Sequence, residues 1–434
     1  MRHAAALSLL LAVALPAGTA HAADWPHWRG PQRNGVSAES SGWPDRWPPK
    51  RLWDRDVGLG CTSPIIARGR LYVMGWEGNP RGNPIGTDVV QCLDARTGKP
   101  VWRRSYRARY QSRLRTGDTG QYGGPSSTPS YDADTGYLYT VGVDGDLRCW
   151  NAAEGGKPIW SKNLYDTYKI AQRPDVGGGR RDFGFTSSPL VLGDSLILEV
   201  GAATATVVAF DKRTGKQQWV SAFKGTAGHT GGPVPITVQG TPCLANLGLD
   251  RLAVMRLDKG HEGQTVAEYK WQTHYGCNIA TPAVAGSRLV LTASYNVNRT
   301  EMLEVSLGGI RRLWSVKENA LMSCPVAYKS RIFLPTGGTL VALDAADGRR
   351  AWRGGNFGHG SCIVTAGDDR LIVFGRGRLA VLDALAAGQG YKELGHLEGV
   401  VHGTCYPYLA LSDGVLACKD RKGDLACLAV GAPE

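Results

Sequence analysis

Histidine and cysteine recur together in loops that precede predicted strands, and their chemistry makes these loops the first candidate site. The motif His-Gly-Ser/Thr-Cys occurs twice, and two more histidines occupy corresponding loops earlier in the chain. Thiolates and imidazoles are the ligands that zinc and other soft metals prefer. The pattern therefore raises the hypothesis of a metal or redox site where these loops meet. The candidate residues are His229, His274, His359, Cys362, His402 and Cys405.

Two other interpretations of this pattern stay open. A free cysteine often serves as a small buried apolar residue, and Ser63, Thr128 and Ser188 occupy the equivalent place in other units. Simple packing would then explain the cysteines. A disulfide between Cys362 and Cys405 is the third interpretation, because an exported protein permits one.

Two cysteines near the C-terminus follow a different logic. The segment LACKDRKGDLACL reads as a hairpin with a Lys422-Gly423 turn, which places Cys418 directly opposite Cys427. Directly opposed cysteines on antiparallel strands are close enough for a somewhat strained disulfide. The sequence therefore allows a bridge between Cys418 and Cys427 that would secure the last repeat.

A repeated ten-residue motif supplies the elements that must position these loops. It reads LDARTGKPVW at 93–102, FDKRTGKQQW at 210–219 and LDAADGRRAW at 343–352. The Asp accepts turn amides and the Gly takes a positive φ, so each copy predicts two strands joined by a tight turn. The tryptophans that end these copies and their looser relatives are Trp53, Trp102, Trp160, Trp219, Trp271, Trp314 and Trp352.

A second pattern precedes each hairpin. A small polar residue and a proline begin a strand, a turn follows and a β-rich strand returns, as in TSPIIARGRLYVMG at 62–75. Alternating apolar residues indicate that both strands are half-buried. Such units start near residues 61, 126, 186, 231, 280, 323, 361 and 404. Eight units at this spacing predict an all-β fold, an eight-bladed β-propeller.

The eighth unit lacks its outer strand, and the segment KRLWDRD at 50–56 is predicted to supply it. An N-terminal strand in the last blade closes the ring and removes the exposed edges of an open array. The predicted organisation is a signal peptide at 1–22, an N-terminal lead-in at 23–49 and a single propeller at 50–434.

The tryptophans have a structural explanation in this fold. Each is predicted to wedge between its own blade and a neighbouring one, where truncation to alanine costs about 3–5 kcal/mol. The seventh repeat has no tryptophan, and Tyr391 is predicted to take its place. The inner strands begin at one mouth of the central channel, so the His/Cys loops are predicted to lie at that mouth.

Two insertions rich in Arg, Tyr and Gly interrupt the repeat, at 105–124 and 165–184. Each falls between an outer strand and the next inner strand, so both are predicted to rise on the face that carries the His/Cys loops. Arg and Tyr are enriched at protein interfaces, although ordinary flexible loops are the alternative. The candidate interface residues are Arg107, Arg109, Tyr110, Arg113, Arg180 and Arg181.

The first residues, MRHAAALSLLLAVALPAGTAHA, are typical of a cleavable secretory signal. A basic start, an apolar run and an Ala-x-Ala site follow one another, and no cysteine stands after the predicted cut for a lipid anchor. We therefore expect an exported protein, periplasmic or extracellular, with no transmembrane segment.

The chain has a formal net charge of +12. Its Lys and Arg residues are scattered and accompany no motif that reads DNA or RNA, so we interpret the charge as a solvated surface and expect no nucleic-acid partner. We also expect a monomer.

The repeat units resemble the pyrroloquinoline-quinone (PQQ) type of propeller repeat over nearly the whole mature chain. The opening DWPHWRGPQRNGVS at 24–37 also resembles the lead-in of exported bacterial propellers with this repeat. Two relatives have different roles: quinoprotein alcohol dehydrogenases are enzymes, and the outer-membrane-protein assembly lipoprotein binds proteins. Blades of this type therefore indicate the fold more than the chemistry.

The resemblance to the dehydrogenases implies PQQ with calcium, a vicinal Cys-Cys disulfide, Glu and Asn as calcium ligands and a catalytic Asp. This chain has no vicinal cysteine pair, and no catalytic residue or metal ligand could be transferred to it. We therefore predict a noncatalytic binding or scaffold module for a protein or cell-envelope polymer. The alternative is a quinoprotein-like oxidoreductase or metal-binding redox protein that uses the channel mouth.

Overall fold

The computed structural model describes residues 24–114, 122–386 and 390–431. Within these ranges the regular structure is almost all strand, with one five-residue α-helix. No helix in this part of the chain is both long and apolar enough to cross a membrane. The predicted signal peptide lies outside the described residues.

The strands form eight sheets arranged as blades. The lead-in contributes β1 (Val36–Ser37), and β2 (Lys50–Asp56) follows it. Blade one contains β3 (Ile65–Ala67), β4 (Arg70–Glu77), β5 (Ile85–Asp94) and β6 (Pro100–Arg109). Blade two contains β7 (Ser130–Asp132), β8 (Tyr137–Val141), β9 (Asp146–Asn151) and β10 (Lys157–Asn163), and α1 (Leu164–Tyr168) follows it. Blade three contains β11 (Leu190–Leu192), β12 (Ser195–Ala202), β13 (Ala205–Asp211) and β14 (Gln217–Val220).

The next three blades repeat the same order. Blade four contains β15 (Val234–Val238), β16 (Thr241–Leu247), β17 (Arg251–Arg256) and β18 (Thr265–Lys270), and a 3₁₀ turn (His274–Gly276) follows it. Blade five contains β19 (Ala283–Ala285), β20 (Arg288–Ala293), β21 (Arg299–Ser306) and β22 (Gly309–Val316). Blade six contains β23 (Val326–Tyr328), β24 (Arg331–Pro335), β25 (Leu340–Asp344) and β26 (Arg350–Gly354).

The last two blades receive strands from the N-terminal part of the chain. Blade seven contains β27 (Ser361–Thr365), β28 (Arg370–Gly375), β29 (Arg378–Asp383) and β30 (Glu393–Leu397), and β1 pairs with β27. Blade eight contains β31 (Ala410–Ser412), β32 (Val415–Lys419) and β33 (Asp424–Ala429), with β2 as its outer strand. In that pairing Trp53 lies opposite Cys427. The predicted eight-bladed propeller, closed by an N-terminal strand, is confirmed.

Each blade has two ends. The tight hairpins of the ten-residue motif join the third and fourth strands at one end. The loops that lead from an outer strand to the next inner strand lie at the other end, which we call the mouth face.

The outer-strand tryptophans join neighbouring blades in a repeated way. Trp102 of blade one donates its Nε1 hydrogen to the Ala152 carbonyl of blade two at 3.0 Å. Trp53 and Trp314 donate to the equivalent carbonyl of the blade that follows each of them. Each indole therefore buries its ring between two blades and keeps its N–H satisfied, as a buried tryptophan requires.

The glycine of each hairpin has a second role besides its turn. Gly156 has a φ of +72°, and a Cβ there would lie 2.7 Å from the ring of Trp102. Gly98 and Gly348 face the indoles of Trp53 and Trp314 in the same way. The motif thus needs glycine for its left-handed backbone and for the close approach of the preceding blade's tryptophan.

The junction after blade seven differs from the prediction for Tyr391. The Tyr391 ring packs against Trp352 of blade six, with 5.6 Å between ring centroids. The lead-in residue Trp47 lies instead against Gly395 in β30, and it packs on the core cluster that contains blade eight. Trp47 therefore fills the position predicted for Tyr391.

The predicted register of the last hairpin is wrong by one residue. Cys418 lies opposite Ala426, and Cys427 lies opposite Ala417. Asp420 causes the shift, because its Oδ1 accepts the amides of three of the next four residues and so forms a three-residue loop. Neighbouring strand residues face opposite sides of a sheet, so the two thiols point apart. Both cysteines are free, and so are Cys362 and Cys405.

The lead-in enters the central channel. Trp25 pairs with Ile66 of blade one, and its side chain is fully buried. Arg29 donates to the Pro325 carbonyl of blade six, and Arg33 donates to the Pro189 carbonyl of blade three. Because both arginines are buried, these carbonyls replace the water that the guanidinium groups would otherwise bind.

Candidate functional site

A cavity of about 140 Å³ lies at the mouth of the channel. Its wall is formed by residues that stand just before the inner strands of several blades, together with residues of the two insertions and the lead-in. The residues that line it are Trp28, Cys61, Ser63, Tyr122, Ser126, Arg181, Phe183, Thr186, Ser188, His229, Gly231, Ile279, Tyr295, Met322, Ser323, Cys324, His359, Tyr406 and Tyr408.

Trp28 of the lead-in contributes its buried indole to this lining. The indole lies so close to Gly231 that a Cβ there would be 2.4 Å from the ring. Tyr408 packs edge-on against it with 5.3 Å between centroids. Tyr408 also links three blades at the channel mouth. Its hydroxyl accepts a hydrogen bond from the Cys324 amide at 2.6 Å, and its own amide donates to Ser63 Oγ at 2.8 Å.

The two insertions supply a large part of the aromatic wall. Tyr122 comes from the first insertion and Phe183 from the second, and their rings meet edge-on at 5.3 Å. Tyr122 also contacts Tyr406 at 5.5 Å, and Tyr406 contacts His359 at 5.6 Å. Offset and edge-to-face aromatic contacts of this kind are favourable at 4.5–7 Å. Both insertions therefore contribute side chains to the cavity wall.

His229 fastens the second insertion to the neighbouring loop. Its Nδ1 lies 3.1 Å from the Gly276 carbonyl, and its Nε2 accepts the Phe183 amide at 3.4 Å. Burial lowers the pKa of His229 well below its usual value, and Arg173 adds to this effect. The imidazole is therefore neutral, and both of its nitrogens are already used within the chain. It is placed to orient Phe183 rather than to bind a metal.

A buried ion pair holds the same insertion from within. Arg173 Nη1 lies 2.5 Å from Asp182 Oδ1, and the rest of the guanidinium donates to the carbonyls of Ala227 and Gly228. The pair is almost fully buried. Breaking such a pair from one side typically costs about 3–5 kcal/mol, so the second insertion is firmly held. We call the described residues of the two insertions, together with the 3₁₀ turn His274–Gly276, the lip of the cavity.

The first insertion is fastened to the second. Arg113 binds both carboxylate oxygens of Asp144 at 2.9–3.2 Å and also reaches Asp166 at 2.7 Å. Tyr110 is buried against Trp76 at 4.9 Å. Tyr110 therefore stabilises the mouth face from inside and is not available as an interface residue, whereas Arg113 forms these ion pairs and remains exposed.

The remaining predicted interface residues are exposed or half-buried. Arg107 and Arg109 are exposed at the mouth end of β6, and the Nε of Arg109 lies 4.0 Å from Oδ2 of Asp144. Arg180 donates to Gln172 at 3.1 Å. Arg181 lines the cavity and stacks its guanidinium over the Tyr275 ring at 4.7 Å.

The structure does not assemble the predicted His/Cys site. His359 and His229 line the cavity, but His274 is exposed on the lip and His402 is exposed elsewhere, beside Asp54 and Asp424 of blade eight. The histidines of the two His-Gly-Ser/Thr-Cys motifs therefore lie in different places: His359 in the cavity and His402 outside it.

The cysteines of the two motifs are also unsuited to the predicted chemistry. Cys362 and Cys405 are buried beneath the surface, and burial raises the pKa of each thiol to about 12. They pack as small apolar side chains, which is one of the interpretations that the sequence left open.

The described lining does not fit calcium with PQQ. Calcium takes six to eight oxygen ligands, mainly carboxylates and carbonyls, and the lining contains no Asp or Glu. Across the described ranges no three His, Cys, Asp or Glu side chains are grouped so that they could hold a metal ion. Arg181 is the one charged side chain in the described lining, whereas PQQ carries several carboxylates.

Sequence reasoning missed most of the aromatic wall. The residues not foreseen are Trp28, Tyr122, Phe183, Tyr295, Tyr406 and Tyr408. A usable signal was present, because Tyr406 and Tyr408 stand immediately before the last inner strand and the insertions contain aromatic residues.

A protein-family model described as outer membrane protein assembly factor BamB matches residues 86–354 of the chain. A comparison with curated proteins finds no match. Together with the eight blades, the family match supports a PQQ-like β-propeller.

Many solved structures share the fold. BamB from Moraxella catarrhalis is 12% identical with a TM-score of 0.58, and Sqt1 from Saccharomyces cerevisiae is 10% identical with a TM-score of 0.58. The computationally designed Ika8 protein is 11% identical with a TM-score of 0.57. Each comparison covers 88% of this chain and 100% of the other. At these identities the likeness concerns the fold alone.

Proposed function

This chain belongs to the β-propeller family described as outer membrane protein assembly factor BamB, and on that basis we propose that it is a noncatalytic binding module for a protein or cell-envelope polymer. The partner docks on the mouth face. We further propose that the protein acts after export, in the periplasm or outside the cell, as a propeller preceded by its signal peptide and lead-in.

One observation carries this proposal: an aromatic cavity lies within a lip that ion pairs and hydrogen bonds hold in place. A fixed surface loses little conformational entropy when a partner binds, which leaves more of the contact energy for affinity. Aromatic and arginine side chains are also the ones that dominate binding energy at interfaces. The lip presents both types around one concave site.

The chemistry of the cavity favours binding over catalysis. Burial lowers the pKa of His359, and His229 already uses both ring nitrogens. Burial also raises the pKa of the Cys61 thiol, so it is not activated as a nucleophile. With no carboxylate in the described lining, the cavity has no pair of groups tuned to exchange a proton.

Site-specific photo-crosslinking in producing cells tests this proposal. A benzoylphenylalanine is placed at Met322 in the cavity wall, at His274 on the lip, or at Arg213 in a hairpin on the opposite face. We expect a discrete crosslinked partner from Met322 and His274 and none from Arg213. Equal crosslinking from all three positions, or none from the mouth face, would contradict the proposal.

An absorbance spectrum and elemental analysis of the purified protein test the enzymatic alternative. The proposed function predicts no quinone absorbance band and no stoichiometric metal. A bound chromophore or an equivalent of calcium would overturn the noncatalytic assignment.

A further inference from the structure

We propose that the mouth cavity binds one aromatic side chain, a phenylalanine or tyrosine ring, presented by an extended segment of a partner polypeptide. This inference rests on the proposed function and names the group that the mouth face would recognise. Four features of the described residues support it: volume, wall chemistry, charge and depth.

The volume limits the occupant to a single ring. The cavity measures about 140 Å³, and a cavity of about 150 Å³ in another protein binds benzene. A fused tricyclic quinone or a disaccharide is much larger than benzene. A phenyl or phenol group therefore matches the available space.

The wall is chemically suited to a ring. Four aromatic rings contact one another in series, with 5.3–5.6 Å between successive centroids. Their order is Phe183, Tyr122, Tyr406 and His359. Aromatic pairs stabilise each other beyond the area that they bury. An aliphatic side chain of equal size would gain the burial without this addition.

Charge excludes strongly polar occupants. The described lining has no carboxylate to receive a lysine or arginine side chain, and its one cation, Arg181, stacks over Tyr275 at 4.7 Å. The histidines are neutral for the reasons given above. An uncharged ring brings no charge into the cavity, so binding does not require the removal of water from a charged group of the occupant.

The lead-in favours insertion from the mouth face. The indole of Trp28 is buried between Gly231 and Tyr408 in the lining. Arg29 and Arg33, which follow it, donate to carbonyls of blades six and three inside the ring. A ring entering from outside can penetrate only to that depth. Its parent backbone then remains at the rim, and the half-buried Ser126 and Met322 are among the lining residues that it approaches.

Fluorine NMR on the full mature protein tests the inference. The probe is the tripeptide acetyl-Gly-(4-fluoro-Phe)-Gly-amide, and we expect its fluorine signal to broaden when the protein is added. Unlabelled Phe or Tyr tripeptides should reverse the broadening. The cyclohexylalanine tripeptide should compete about 2- to 10-fold less well, the range that an aromatic pair contributes.

Two matched substitutions locate the binding. Ile279→Phe adds a ring to the cavity wall, and Ile310→Phe makes the same change at a half-buried isoleucine in blade five that does not line the cavity. We expect Ile279→Phe to lower probe affinity at least tenfold and Ile310→Phe to leave it unchanged. Equal affinities in the two variants would overturn the inference, and their melting temperatures check that both are folded.

The remaining outcomes separate this inference from the proposed function. If crosslinking from the mouth face succeeds and no tripeptide binds, the inference is wrong and the proposed function stands. If free p-cresol binds at the cavity and the tripeptides do not, a small molecule rather than a polypeptide is the source of the ring. If the tripeptides bind and no crosslink forms in cells, the proposed function loses its support.

Discussion

At the scale of single residues, the protein contains buried ionisable groups that serve its architecture. Asp88 in β5 is fully buried, and the nearby Tyr106 hydroxyl offsets only part of the cost of ionising it. Burial raises the pKa of Asp88 to about 8. Gly142 of blade two leaves room for the carboxyl, because a Cβ there would lie 2.7 Å from Asp88 Oδ2. At neutral pH this carboxyl is therefore mostly protonated.

The Asp88 carboxyl should make stability depend on pH. Because its pKa is raised in the folded state, the folded protein holds the proton more tightly, and stability is greatest below the unfolded pKa near 4 and is lost as pH rises through about 8. Each pKa unit corresponds to about 1.4 kcal/mol. Between pH 5 and pH 9 the free energy of unfolding should fall in both proteins. We predict that it falls by a few kcal/mol less in Asp88→Asn than in the wild type.

Urea unfolding at the two pH values measures this difference. The comparison of variant with wild type cancels the other groups, including His229, whose lowered pKa acts in the opposite sense. Identical pH dependence in both proteins would show that Asp88 is ionised in the fold.

The same scale shows what sequence reasoning could and could not reach. The Asp-x-x-Thr-Gly pattern is local, so it identified every hairpin that it occupies. Whether a residue near the mouth lines the cavity depends on the conformation of its loop, which a local pattern does not reveal. His359 and His402 share a motif, yet only His359 lines the cavity. Asp420 also changed a register that the spacing of Lys422 and Gly423 had suggested.

At the scale of the element, the hairpin glycine and the tryptophan form one unit. Gly155 and Gly156 stand side by side with φ values of +66° and +72°. A Cβ at Gly155 has no atom nearer than 3.8 Å, whereas a Cβ at Gly156 would meet the Trp102 ring at 2.7 Å. The two positions therefore share backbone strain and differ in packing.

This pair gives a controlled prediction. Gly155→Ala should cost about 1–2 kcal/mol, the strain of a left-handed alanine. Gly156→Ala should cost that amount and a further 1–3 kcal/mol, roughly, because the indole must move. Equal losses in denaturant unfolding would show that the hairpin does not hold the indole as described.

Blade number and closure were predictable because each blade carries its own strand and turn signals. The missing outer strand of blade eight had one clear donor in residues 50–56. The role of Trp47 was not predictable, since no periodic pattern marks the lead-in and its contact with Gly395 spans most of the chain.

At the scale of the whole molecule, the lead-in links distant blades through the channel. It contacts blade one through Trp25, blade three through Arg33 and blade six through Arg29. Such contacts are far apart in sequence, so local patterns could not reveal them. The lead-in joins the ring from inside while β2 joins it from outside.

Trp25→Ala should therefore destabilise the whole propeller. We predict a loss of about 3–5 kcal/mol, as for other buried aromatic truncations. Gln32→Ala is the control, because Gln32 is exposed in the same segment and should change stability by about 0.5 kcal/mol or less. Chemical denaturation gives both values, and a small effect at Trp25 would mean that the lead-in is not integral to the fold.

The central claim is that this propeller binds its partner through the mouth cavity, and crosslinking from His274 in cavity-filled variants tests it most directly. We predict that the partner crosslink is lost in Ile279→Phe and retained in Ile310→Phe. Retention of the same crosslink at full yield in Ile279→Phe would contradict it.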